Sequence, residues 1–581
     1  MKALAALVQL IAIIPTAALA QGSIAGHVSD STGASVPGVA VEATSDALIE
    51  TTRTSTTDGA GQYRIEDLRP GTYRVRFTVA GWQPHLREQV EVTAALTAIV
   101  NARLAVDAFT ETITVTSEPP TIDVQSAKRA ITLPGDVVRS LPTARSYNAL
   151  LALVPGVVTS GTDLVTGPAA TAFPFHGGRQ NEGRLLLDGL TIGSPPSGNS
   201  ATTYDVDVGQ AQEVTFTTSG GLGEWETAGL VMNIVPRTGG NTMRGSLFAS
   251  GTSERLQSGV SQALIAQGVI AGAPYTKVYD VSGTLGGAIV TDRLWYVLSA
   301  HTGGSTRNST TVYYNLNAGD PRQWRYAPDM TRPEYSDRTF ESISGRLTWQ
   351  LTPRNKVSGY WDAQTLCRSC TGATPGVSEP PRVSPEAVGV LGRRLDVTQV
   401  TWSSPPTNRL LLEAGYGGIY FGVGNFEREP NPTRNLVRVV EQCASGCAAN
   451  GNIPGLVYRS QDFSDAHAGS YVWRASISYV TGTHAMKLGY QHALMTDDRT
   501  WMTNNQSLTY RVDNSVPNQL TQSISPWVNN ARAGWNAVFV QEQWTRGQLT
   551  LQGALRLDRA GSWFPTQREG PSRFLPTPIV V

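Results

Sequence analysis

Apolar and polar residues alternate with a period of two along much of this chain. Tyr73, Val75, Phe77 and Val79 are interleaved with Thr72, Arg74, Arg76 and Thr78. Farther on, Tyr471, Trp473, Ala475, Ile477 and Tyr479 oppose Arg474, Ser476 and Ser478, while Leu549, Leu551, Gly553, Leu555 and Leu557 oppose Thr550, Gln552, Arg556 and Asp558. Successive side chains of a strand point to opposite faces, so each run predicts a strand with one apolar and one wet face. Helical spacing is confined to two short stretches, 137–141 and 147–153, closed by Pro155-Gly156.

The predicted strands come in two lengths. Between residues 21 and 106 they are short, and Asp58-Gly59-Ala60-Gly61 between two of them supplies the backbone freedom of a hairpin, which predicts a small β-sandwich. From 242 to 581 they are long and are separated alternately by tight turns (352–355, 406–408, 481–483, 545–547) and by long polar pieces such as 305–336 and 367–389. One-sided loops of this kind predict a transmembrane antiparallel β-barrel with periplasmic turns and extracellular loops, lipid covering the apolar face. About a dozen such strands can be counted against about 22 in plugged transporters, so the pattern reads as the first part of a barrel. Its open sheet edge is not expected to insert stably in lipid alone.

The first 20 residues carry Lys2, an apolar run from 3 to 17 and the small-x-small site Ala18-Leu19-Ala20, the pattern of a secretory signal peptide. No later apolar run reaches the roughly 18 residues of a membrane helix, which a barrel does not need. Lys+Arg 46 against Asp+Glu 46 in 581 residues removes any bulk-charge case for nucleic acid as a partner. Gly 58 and Pro 34 suit a turn-rich β chain. The cysteines form two close pairs, Cys367-Arg-Ser-Cys370 and Cys443-Ala-Ser-Gly-Cys447. Four thiolates from two turns suit tetrahedral zinc. An exported chain, however, meets an oxidising compartment, so two loop disulfides are favoured.

Two further stretches share one grammar of apolar run and Gly/Asn turn: FHGGRQNEGRLLLDGL at 175–190 and GLVMNIVPRTGGNTMRG at 229–245. With Leu141, Pro142, Arg145, Leu150, Leu153, Pro155, Gly156 and Val157 ahead of them, they resemble the plug domain of TonB-dependent outer-membrane receptors of the Oar-like type. The plug motif falls on Gly177, Gly178, Arg179, Asn181, Asp188 and Gly189, and Arg179, Gln180, Asn181, Glu182 and Arg184 form a polar set that either holds the plug in the lumen or merely covers a loop. GLGEWE at 221–226 departs from the family's Glu-Tyr-Gly at Trp225 and Glu226. Residues 24–28, 36–39, 57–63 and 68–73 resemble the carboxypeptidase regulatory-like domain, a carbohydrate-binding-like sandwich found ahead of such plugs.

The resemblance implies a mainly β chain of signal peptide (1–20), β-sandwich (21–106), extended linker (107–118), α+β plug (119–241) and partial transmembrane antiparallel β-barrel (242–581). Thr112, Ile113, Thr114 and Val115 would be either the sandwich's last strand or a TonB box that pairs with the energising protein. The plug would be held by polar contacts rather than by a dry core. The implied function is uptake of an extracellular ligand (carbohydrate, siderophore or peptide) energised by a TonB-type partner, against a barrel-anchored adhesion protein without transport. His176-Gly177-Gly178 has the form of a lipase oxyanion turn, but no Gly-x-Ser-x-Gly elbow, Walker A loop or His-Glu-x-x-His motif accompanies it. Neither catalysis nor a cofactor or metal is expected.

Overall fold

The computed structural model describes residues 22–45, 48, 52–69, 71–92, 97–105, 129–141, 145–158, 173–179, 181–193, 202, 204, 206–219, 221–227, 229–258, 275–368, 383–387, 390–426, 434–447, 453–481, 483–546 and 549–580. The predicted leader and Thr112 to Val115 lie outside them.

The N-terminal strands are short: β1 (Gly22–Asp30), β2 (Ala40–Thr44), β3 (Thr52–Thr56), β4 (Gln62–Leu68), β5 (Gly71–Thr78), β6 (His85–Val92), β7 (Thr97–Ile99) and β8 (Ala102–Leu104). They make two sheets, one of β4, β1, β7 and β8 and one ordered β3-β2-β5-β6. The alternation on β5 explains the layering, since Tyr73, Val75 and Phe77 are wholly buried against Ile24, Val41, Tyr63 and Leu104 while Arg74 and Arg76 face water. Each such side chain taken from water contributes about 1.5–3 kcal/mol. Between β3 and β4, Asp58 accepts the Ala60 and Gln62 amides at 2.9 and 3.0 Å. Gly61 adopts φ 70° there, and a Cβ on it would stand 2.6 Å from the Val28 carbonyl oxygen.

A second unit comprises β9 (Arg129–Pro134), helices Gly135–Ser140 and Tyr147–Leu151, β10 (Arg184–Leu187), β11 (Leu190–Thr191), β12 (Ala211–Ser219) and β13 (Val231–Pro236). Its mixed sheet is ordered β11-β10-β13-β12-β9, with β10 parallel to β13. Leu185 to Leu187 run apolar without alternating because both faces of this central strand are covered.

The remaining long strands are β14 (Arg244–Ser253), β15 (Tyr275–Val290), β16 (Leu294–Asn315), β17 (Pro328–Thr352), β18 (Asn355–Arg368), β19 (Val390–Thr407), β20 (Leu410–Phe426), β23 (Phe463–Val480), β24 (His484–Met502), β27 (Trp527–Arg546) and β28 (Leu549–Trp563). They pair antiparallel in chain order as one eleven-stranded sheet with β14 and β28 at its edges. Burial here is inverted relative to a soluble sheet. Leu298, Ile343, Leu347, Ile477, Leu555 and Leu557 are exposed, whereas Ser299, Ser342, Ser344, Arg346, Gln399, Ser476 and Lys487 are buried. An apolar outer and a polar inner face are what lipid outside and a wet lumen require. The sheet curls around the second unit, which touches both edges: Arg145 lies 3.5 Å over the Phe248 ring on β14, and Arg556 on β28 donates to the Gly223 carbonyl at 2.9 Å.

One expectation about the loops is corrected, and two further polar pieces prove to be folded. The stretch 305–336 is mostly strand, with the connection reduced to 316–327, because β16 and β17 keep pairing beyond the lipid-facing band. Both faces are wet there, so alternation vanishes while the backbone ladder continues. The polar pieces after β20 and β24 are also folded. β21 (Arg438–Glu441), β22 (Val457–Tyr458), β25 (Leu508–Asp513) and β26 (Val516–Gln522) form a separate sheet ordered β22-β21-β25-β26. It packs Val439, Leu456, Tyr458 and Val512 against Val312 as a cap on the loop side. The Cys443–Cys447 disulfide lies in this cap with Cα atoms 5.5 Å apart. Cys367 is also disulfide-bonded, and Cys370 lies outside the described residues.

Candidate functional site: the plug and barrel interface

Asp188 and Gly189 join β10 to β11 as a two-residue turn with φ 50° and 73°, the left-handed pair that Asp-Gly adopts most readily. The turn is aimed at the wall. The Asp188 carboxylate meets Arg346 of β17 at 2.5 Å, and both side chains are nearly wholly buried. Asn233 of β13 accepts the Gly189 amide at 2.8 Å, and Arg474 of β23 donates to the Gly189 carbonyl at 3.1 Å. Next to it Gln399 of β19 donates to the Leu187 carbonyl at 3.1 Å. Tyr204 donates to Asp362 of β18 at 2.5 Å, and Ser342 of β17 donates to the same carboxylate at 2.8 Å. His301 of β16 lies 2.7 Å from Asp280 on its own wall and 3.9 Å from Asp207 of the inner unit.

Glu224 is a second anchor. Its carboxylate sits 2.9 Å from Lys487 of β24, 3.8 Å from Arg474, and 3.2 Å from the Gln541 amide on β27. Its carbonyl accepts from Gln491 and Arg556. Lys487 also lies 3.7 Å from Glu413 of β20, so a single ammonium bridges an inner carboxylate and a wall carboxylate. Removing one partner from such a buried cluster leaves an uncompensated charge.

The expectation of a purely polar seat is corrected by the opposite flank. Leu185, Leu187, Phe173 and Ile192 pack in one core with Phe340, Leu366, Leu395, Val397, Ile419 and Phe421 of β17 to β20. These wall residues face inward beyond Arg346, Asp362 and Gln399, on the loop side. The seat is therefore ionic toward the turns and dry toward the loops. A cleft lined by Asp207, Arg237, Ser299, Arg346, Tyr360 and Asp362 separates unit and wall between the two.

The plug-motif residues divide accordingly. Asp188 and Gly189 reach the wall. Gly177 has φ 76° in an exposed turn, and a Cβ on Gly178 would stand 2.4 Å from Glu182. The Arg179 amide donates to Glu182 at 3.1 Å. Arg184 donates to the Asn181 carbonyl at 2.9 Å and pairs with Glu226 at 2.6 Å. The observed partners of this polar set are thus within the inner unit itself, and Gln180 lies outside the described residues. Sequence reasoning quoted Glu224 within GLGEWE without singling it out. The available signal was an acid set between Gly223 and Trp225, two residues before Glu226. Trp225 lies 5.9 Å beneath Arg474.

A folded sheet seated inside a curled sheet with an apolar exterior is the fold of plugged outer-membrane β-barrels, and comparisons with known proteins point the same way. Residues 23–105 match the carboxypeptidase regulatory-like domain family. The chain is similar to the TonB-dependent transporter Oar of Myxococcus xanthus, with 28% identity over 430 residues, 70% of this chain and 39% of that protein. In fold it is similar to the outer membrane transporter YddB of Escherichia coli, with a TM-score of 0.53 at 13% identity, covering 75% of this chain and 57% of that one. The ferric citrate transporter FecA gives a TM-score of 0.50 at 12% identity, covering 79% and 59%. The chain thus spans less than two thirds of the length of each of these relatives. Sequence likeness and the apolar outer band together place it in the bacterial outer membrane.

Proposed function

We propose that this chain is the receptor of an energised uptake system. An extracellular ligand meets the loop cap, and a TonB-type partner pulls on the plug through the segment Thr112, Ile113, Thr114 and Val115. The observation that carries the reading is the two-sided seat. Ion pairs and hydrogen bonds on the turn side can be exchanged for water under load, whereas the apolar flank resists that exchange and keeps the plug from leaving unprompted. The likeness to a protein named a TonB-dependent transporter supports the same reading. A strand offered to a partner needs only free backbone groups and modest side chains, which a Thr-Ile-Thr-Val run provides.

The test is uptake by cells that carry the chain, offered a labelled ferric siderophore, oligosaccharide or peptide in turn. Accumulation of one of these, abolished by a protonophore and by deletion of residues 112–115, is the expected result. Surface binding that neither treatment alters, with no accumulation, would make the protein a barrel-anchored adhesin instead.

A further inference from the structure

The N-terminal sandwich touches both other parts of the molecule, and it does so at the turn side of the barrel. Asn408, in the tight turn between β19 and β20, donates its side-chain amide to the Thr56 and Gln62 carbonyls at 3.1 and 3.4 Å. Its neighbour Arg409 lies 3.4 Å from Asp58. On another side Arg69 reaches the turn by which the plug leaves for the barrel, donating to the Thr238 hydroxyl at 2.9 Å and to the Thr238 and Gly239 carbonyls at 3.3 and 2.9 Å. That exit turn is itself pressed on the wall, since a Cβ on Gly239 would stand 2.6 Å from the Tyr296 carbonyl oxygen of β16. We propose that the sandwich is a clamp over the periplasmic mouth, tying the plug's exit turn to the barrel rim, and that it must undock before the plug can move.

Two observations make the clamp releasable rather than permanent. Arg69 is held by neutral oxygens among a field of like charge: burial, offset in part by Tyr73, and then Arg244, Arg346 and Arg53 push its guanidinium down to about 10. A desolvated cation without a carboxylate among those acceptors gains hydration when the contact opens. The Asp58–Arg409 pair is half exposed, and such pairs hold weakly.

The regulatory part of this inference rests on the transport reading, whereas the docking does not. In outer membranes carrying the full chain, a bismaleimide should join Asp58→Cys to Arg409→Cys in the double variant and in neither single one. Cys367, Cys443 and Cys447 are disulfide-bonded and do not compete. A membrane-impermeant maleimide should modify Thr238→Cys about tenfold faster when Arg69→Glu or the milder Arg69→Gln is added, the change expected for loss of a charge-assisted contact. Absence of the cross-link, or equal modification with and without Arg69, would overturn the clamp. A chain that cross-links but shows no protonophore-sensitive uptake keeps the docked sandwich and loses the transport reading. Uptake without the cross-link removes the clamp alone.

Discussion

Arg346 on β17 and Asp188 in its Asp-Gly turn carry opposite charges into a space that excludes most water. Taking either away strands the other, so Arg346→Met should destabilise the seated turn by about 3–5 kcal/mol. Adding Asp188→Asn should restore most of that loss, because no buried charge is then unpaired. Amide exchange across residues 184–191 measures both: it should accelerate at least a hundredfold in the single variant and return toward the parent in the double one. Exchange that accelerates equally in both would mean that the pair does not hold the turn. Asp58 supplies a pH signature for the sandwich. Burial raises its carboxyl, but the Gln62 and Ala60 amides and Arg409 outweigh this and leave it below the ordinary 3.8. A carboxyl lowered on folding binds fewer protons in the folded state, so its contribution is complete above 3.8 and is lost as pH falls through the lower value. Protection of residues 56–62, corrected for intrinsic exchange rates, should be flat from pH 8 to pH 5 and fall only below 3.8. A decline already near pH 6 would point to a different group.

At the scale of elements, what could be read beforehand follows from which faces repeat a contact. On β23 and β28 the outward residues all meet lipid, so Trp473, Ile477, Leu555 and Leu557 spell the strand by themselves. The Asp188-Gly189 turn was legible too, because local geometry dictates it. Glu224 was not: Lys487 lies 263 residues away, and nothing local marks a carboxylate that such a distant partner will neutralise. The apolar flank was missed for a related reason, since Leu395, Val397, Ile419 and Phe421 break the polar-inward rule only where the plug covers them. The cap sheet escaped because its four strands come from two separate loops. Its order depends on the disulfide and on Glu441, which accepts the Cys443, Asn514 and Ser515 amides at 2.9 Å each. Cys443→Ser with Cys447→Ser should loosen this sheet by about 2 kcal/mol. Limited proteolysis should then cut between β21 and β22 while the wall strands β23, β24, β27 and β28 stay whole. A zinc chelator should leave the cap resistant and a thiol reductant should not. The reverse would return these cysteines to a metal site.

Among the described residues, four β units fit together: a sandwich at the mouth, a plug in the lumen, a curled wall facing lipid and a cap sheet on the loop side. Their contacts run in series, so force applied at one end of the plug is felt first where charges meet and last where side chains are dry. The wall itself is uneven in height. β17 has 25 residues and its neighbour β18 has 14. At about 3.4 Å per residue and a tilt of about 40°, the longer strand rises roughly 65 Å along the barrel axis, twice the thickness of a bilayer core. Paired with β16, it rises past the lipid-facing band and carries the cap sheet, Tyr458 donating to the Trp324 carbonyl at 3.1 Å and Trp324 meeting Tyr510 at 5.2 Å. Residues 320–325 on its connection are exposed, so a tag placed there reports which side of the membrane the cap faces. A short epitope inserted after Gly319 should be stained on intact cells with cross-linking at Asp58 and Arg409 unchanged.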